Sequence, residues 1–166
     1  FEYGTLGNHE FDEGLGEFNR IMKGEAPTPG QFNKIVDEYP HEASKQEVVI
    51  ANLVDKDTNK IPFDWKPYTI KEIPVNDKTV KVGFIGVVTT EFPNLVLRKN
   101  HEQYRVLDEA ESIAKYAREL NDQGVHAIAV LAHVAATSKN GVAEGPAADM
   151  IKKLNQIYPE NSVDLV

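Results

Sequence analysis

Thr79-Val80-Lys81-Val82-Gly83-Phe84-Ile85-Gly86-Val87-Val88 is the strongest buried-strand signal in the chain, a β-branched apolar run broken by a single charge. The elements after it decide the fold class. Glu109 to Asn121 carries Ile113, Tyr116, Ala117 and Leu120 on one helical stripe, with Gly124 as its stop. Val125 to Leu131 is a further apolar strand ending at Ala132-His133, and Ala147 to Ile157 is a helix halted before Pro159. Strand, helix, strand, helix in that order predicts an α/β domain in which amphipathic helices cover a sheet.

Working upstream, Tyr68 to Val75 alternates as a strand, and Glu47 to Leu53 is an apolar, β-branched strand. Phe32, Ile35, Val36 and Tyr39 suggest a short helix ended before Pro40, set off from the preceding segment by Pro27, Pro29 and Gly30. Leu15, Phe18, Ile21 and Met22 recur at helical spacing, and Tyr3 to Leu6 is a short strand-like piece that runs into a polar turn before them. Downstream, Val163-Asp164-Leu165-Val166 begins one more buried strand, from which the domain is expected to continue past residue 166. Gly83 and Gly86 lie inside a strand pattern, without the spacing or lysine of a phosphate loop, so close packing is their expected purpose. Trp65, with Pro62, Phe63, Pro67 and Tyr68, reads as a proline-punctuated loop packed on the sheet in preference to an aromatic binding surface.

Composition narrows the function classes. The 166 residues are 41% hydrophobic and 27% charged, as expected of one globular domain. A formal net charge of −8 has the wrong sign for a chain whose main partner is a nucleic acid polymer or an anionic membrane. With no cysteine, thiolate metal sites, disulfides and cysteine nucleophiles are all excluded. No apolar run is long enough to span a bilayer.

Gly7-Asn8-His9-Glu10-Phe11-Asp12 sets an amide oxygen, an imidazole and two carboxylates on a strand-to-helix turn. An Asn carbonyl suits a hard or borderline cation, and a neighbouring histidine can stay unligated as a proton donor. His9 and Asp12 are three apart, so a helical turn would let Asp12 bond one ring nitrogen and fix the tautomer that His9 presents. The alternative is that Asn8 or Asp12 merely caps the helix. His133 stands at the carboxyl end of a buried strand, where ligands of α/β sheets collect, and is a candidate metal ligand or a satisfied strand-end histidine. His41, His101 and His126 have no comparable surroundings.

The hexapeptide Gly7 to Asp12 resembles the GNHEFD signature of the 5′-nucleotidase family in the calcineurin-like metallophosphoesterase superfamily. The Ala51-Asn52 strand end, Val82 to Val87 with Thr89-Thr90 after it, and Leu131-Ala132-His133 agree in order, so the resemblance covers essentially the whole chain. It implies an α/β fold that is part of an αββα layered sandwich, and an enzyme that hydrolyses nucleotide phosphate esters with two divalent ions such as Mn or Zn. It further implies that Asn8 and His133 are metal ligands, that His9 acts on the phosphate in the transition state, and that Asp12 orients His9. Val134-Ala135-Ala136 follows His133 where the family more usually has a glycine-containing turn. Asp12 favours the 5′-nucleotidase branch, since relatives acting on 2′,3′-cyclic nucleotides often have Asn there.

The family's D-x-H ligands, its bridging Asp in a G-D segment, its closing G-H-x-H ligands and its nucleobase-stacking domain are not among these residues. The resemblance would put the first two before Phe1 and the others after Val166, making residues 1–166 an incomplete catalytic domain, inactive by itself. Many relatives are exported to the periplasm or displayed at the cell surface, which is the expected location. The competing expectation is a non-catalytic module that keeps this fold to bind a partner.

Overall fold

The computed structural model describes residues Phe1–Val166. In chain order its elements are β1 (Tyr3–Gly4), α1 (Leu15–Lys23), α2 (Lys34–Glu38), β2 (Glu47–Val48), β3 (Leu53–Asp55), β4 (Tyr68–Val75), β5 (Lys78–Val88), β6 (Tyr104–Val106), α3 (Glu109–Asp122), β7 (Ala127–His133), β8 (Thr137–Lys139), β9 (Val142–Glu144) and α4 (Pro146–Ile157). The class is α/β. β5 is the central strand of a three-stranded sheet, antiparallel to β4 and parallel to β7. The β4–β5 hairpin turns on Asn76-Asp77, with Asn76 at φ 54°, a backbone that asparagine tolerates better than most residues.

Alternation along β5 divides the interior in two. Ile85 and Val87 join Ile128 and Val130 of β7 beneath Ile113, Ala117 and Leu120 of α3 and Met150 and Leu154 of α4. Val88 belongs to a second core with Leu6, Phe11, Leu15, Ile50, Leu53, Phe92 and Tyr104. Both strand glycines serve close approach. A Cβ on Gly83 would lie 2.7 Å from Leu120 Cδ1, and one on Gly86 would land on the Val49 carbonyl. Trp65 packs edge-on against Phe18 and beside Phe63 at the border of the second core, so the aromatic loop is packing material.

The helices form where the apolar stripes predict them. Asp108 caps α3 by accepting from Glu111 N at 3.0 Å, and Asn33 caps α2 by accepting from Val36 N at 3.1 Å. The 47–53 run differs from expectation: it is two short strands, β2 and β3, because its residues change partners. Val49 N bonds Gly4 O, Ile50 N bonds Lys66 O and Ala51 N bonds Gly86 O, so the run is buried and hydrogen-bonded without one continuous ladder. The three-residue strands β6, β8 and β9 are too short to register as periodicity. Near the C-terminus, Leu165 makes a parallel bridge with Ala129, and Val130 N bonds Leu165 O at 2.8 Å.

Candidate active site

Two buried anchors shape the turn that follows β1. Leu6 and Phe11 are fully buried, Phe11 against Phe92 at 4.2 Å between ring centroids, and the polar residues between them are left to line the surface. His9–Phe11 make one 3₁₀ turn, closed by Glu10 Oε2 accepting from Gly7 N at 2.6 Å. This turn brings His9 Nδ1 to 2.9 Å from Asp12 Oδ2. Capping is not what these side chains do. Asn8 makes no side-chain cap bond, and α1 starts only after Gly14.

The hydrogen bond to Asp12, reinforced by its charge, raises the pKa of His9 above the usual histidine value. His9 remains 79% exposed, so its second nitrogen faces solvent and any ligand that arrives there.

His133 comes from the opposite end of the chain. Its Nε2 lies 2.8 Å from Asn8 Oδ1, across 125 positions of sequence. The position of β7 is set by its pairing of His133 with Val88, extended by Thr89 N donating to His133 O at 3.0 Å. Val88 is gripped in turn by the fully buried Asn52. Its Nδ2 donates to Val88 O at 2.7 Å and to Leu107 O at 3.0 Å, and its Oδ1 accepts from Val88 N at 3.0 Å. Asn52 thus braces the strand end beside His133.

Asn8 and His133 have the chemistry of a cation site. An amide oxygen and an imidazole nitrogen about 2.0–2.2 Å from one ion would stand roughly 3 Å from each other. Their separation of 2.8 Å needs only a slight opening. An amide oxygen only accepts, so without an ion the Nε2 proton fills the gap; ligation requires the proton on Nδ1 instead. The pair offers two donor atoms, and no cluster of three or more His, Asp or Glu side chains adds to it. The other histidines lie elsewhere: His101 against the Phe92 ring, His126 on Asn121 and His41 beside Tyr39. Sequence reasoning overlooked Asn100, whose Nδ2 donates to Asp12 O at 2.6 Å. Nothing in the sequence near Asn100 announces a contact with a residue 88 positions away.

No protein-family model matches the chain. Over its whole length it is 52% identical to "Cell wall protein Lmo0130" of Listeria monocytogenes, and over 92% of its length 37% identical to "Endonuclease YhcR" of Bacillus subtilis. Over 80% of its length it is 30% identical to a 2′,3′-cyclic-nucleotide 2′-phosphodiesterase/3′-nucleotidase of Salmonella typhimurium. The chain spans 21%, 12% and 18% of these three relatives. Among solved structures, the calcineurin-like phosphoesterase YfkN of Bacillus subtilis superposes with a TM-score of 0.67 at 27% identity, over 92% of this chain and 41% of that one. A 5′-nucleotidase precursor of Thermus thermophilus superposes over 80% of this chain and 21% of its own, at TM-score 0.56 and 26% identity.

The relatives and structural neighbours of the chain are thus nucleotide phosphoesterases and calcineurin-like phosphoesterases, and the chain corresponds to a part of each. Its α/β architecture is that of this phosphoesterase fold. In this chain the turn bearing Asn8, His9 and Asp12 meets the strand end bearing His133.

Proposed function

We propose that residues 1–166 are part of the catalytic domain of a metal-dependent nucleotide phosphoesterase of 5′-nucleotidase type, which in the longer protein hydrolyses a nucleotide phosphate ester. The observation that carries this reading is the meeting of Asn8 with His133 beside the His9–Asp12 pair. Asn8 Oδ1 and His133 Nε2 would hold one of two divalent ions, manganese, zinc or similar, with the remaining donors supplied by sequence outside these residues. Such ion pairs polarise phosphate oxygens and lower the pKa of water.

The chain's own contribution is His9. Asp12 occupies its Nδ1 and favours the imidazolium, leaving Nε2 to donate to a phosphoryl oxygen as charge builds there. The same Nε2 proton can pass to the departing ribose oxygen. Asp12 keeps the ring oriented throughout, and the identity of this residue favours 5′-monophosphates over 2′,3′-cyclic substrates. Two donors do not make a tight site, so residues 1–166 alone are expected to release no phosphate. The name of the Listeria relative supports a location at the cell surface or outside the membrane.

The test is phosphate release from AMP with Mn²⁺ or Zn²⁺, with a 2′,3′-cyclic nucleotide alongside. A single-stranded oligonucleotide belongs in the same assay, because the Bacillus relative is named an endonuclease. The account predicts turnover of AMP by the longer protein, none by residues 1–166, and loss of turnover with retained metal in His9→Ala. No hydrolysis of any substrate by the longer protein, whatever the metal, would favour a binding module that keeps the fold.

A further inference from the structure

We infer that Asn100 is a positioning residue for the His9–Asp12 pair, acting from a loop distant in sequence; this rests on the proposed role of His9. The carbonyl of Asp12 receives no backbone hydrogen bond, and the Nδ2 of Asn100 donates to it at 2.6 Å. The backbone of Asp12 is thereby pinned directly beneath the carboxylate that bonds His9 at 2.9 Å. The segment that delivers Asn100 is itself fixed. Phe92, at its root, is buried against Phe11 inside the turn, and His101 packs edge-on against Phe92 at 5.2 Å. Asn100 N also bonds Leu97 O at 2.9 Å, which closes the short turn that aims the side chain. The loop from Phe92 to His101 therefore holds the catalytic turn at two points, an apolar one under Phe11 and a polar one on Asp12.

His9 and Asp12 are both well exposed, at 79% and 58%, so their own hydrogen bond competes with water and holds geometry poorly without support. Asn100 supplies that support by restricting the Asp12 backbone. Without it, Asp12 would sample orientations that release Nδ1, and the ring would revert to the Nε2–H tautomer favoured by an unpartnered imidazole.

The tautomer can be read without activity, from the ring ¹⁵N shifts of His9 in the 166-residue chain at a pH where the ring is neutral. Wild type is expected to show Nδ1–H. Asn100→Ala should lose that signature while the backbone spectrum outside the turn stays unchanged, and the near-isosteric Asn100→Asp, which has no donor, should lose it too. Leu97→Ala, at an exposed site in the same loop, should keep it. In the longer protein, Asn100→Ala should lower kcat on the order of 10- to 100-fold with little change in KM, as expected for misplacement of a catalytic group. Retention of Nδ1–H in Asn100→Ala, with loss in Asp12→Ala, would overturn the role of Asn100 and leave the His9–Asp12 reading intact. Retention in Asp12→Ala, which removes the acceptor, would overturn both.

Discussion

Replacing Asn52 by alanine should be among the most damaging single changes outside the apolar core. Asn52 is fully buried and makes three hydrogen bonds, two to the N–H and C=O of Val88 and one to Leu107 O, at 2.7–3.0 Å. Each such bond contributes about 0.5–1.5 kcal/mol net, and a buried group left without its partner costs about 1–3 kcal/mol. Three groups are orphaned at once, and the vacated space lets some water in, so a loss of about 3–5 kcal/mol is expected. For a chain of this size that is a fall in Tm of roughly 6–20 °C. Thermal unfolding followed by circular dichroism, with urea melts for the free energy, measures it. Because Val88 pairs with His133, the same variant should also broaden the His133 ring resonances. A loss under about 1 kcal/mol would refute the reasoning, since it would mean that solvent replaces all three bonds at almost no cost.

Asp12→Asn should bring the pKa of His9 down toward the ordinary histidine value, because the raised value comes from the Asp12 hydrogen bond and charge; an NMR titration checks it. The raised pKa means that phosphate release using protonated His9 is supported at low pH and falls as pH rises through that value. The variant's pH profile should therefore turn down at lower pH than the wild type's. Asp108→Ala should cost about 1 kcal/mol at neutral pH through loss of the α3 cap. Burial pushes the Asp108 carboxyl up, but the Lys153 ammonium and the Glu111 N–H outweigh it and hold it below its usual value. Its contribution is thus present above the unfolded carboxylate pKa and lost as pH falls through the depressed native one, so wild type and variant should converge in acid unfolding once pH is below that depressed value. Gly86→Ala should abolish folding, since its Cβ would meet the Val49 carbonyl inside two packed cores; a cooperative melt near the wild-type Tm would contradict this.

Much of the fold was legible because long periodic segments report burial directly. β4, β5, α3, β7 and α4 lie where alternation, apolar runs and helical stripes put them, to within two residues at their ends. What escaped has no period. The 47–53 run is buried throughout, which its composition announces, yet its exchange of partners from Gly4 to Lys66 to Gly86 depends on the approach of three separate segments. At the site, the spacing of His9 and Asp12 was enough to anticipate their hydrogen bond, because it is local. The contact of His133 with Asn8 is a fact of topology: the sequence shows two suitable donor types, and the fold sets the turn after β1 against the end of β7, 2.8 Å apart. Asn100 illustrates the limit, an ordinary loop asparagine whose relevance lies wholly in the residue it reaches.

The central claim, that this turn and this strand end form part of one metal-dependent phosphoesterase site, is tested most directly in the longer protein by measuring bound metal and AMP hydrolysis together for wild type, His9→Ala and His133→Ala. The account predicts that His133→Ala loses metal and turnover, whereas His9→Ala keeps its metal and loses turnover. Full turnover in His9→Ala, or unchanged metal affinity in His133→Ala, would contradict it.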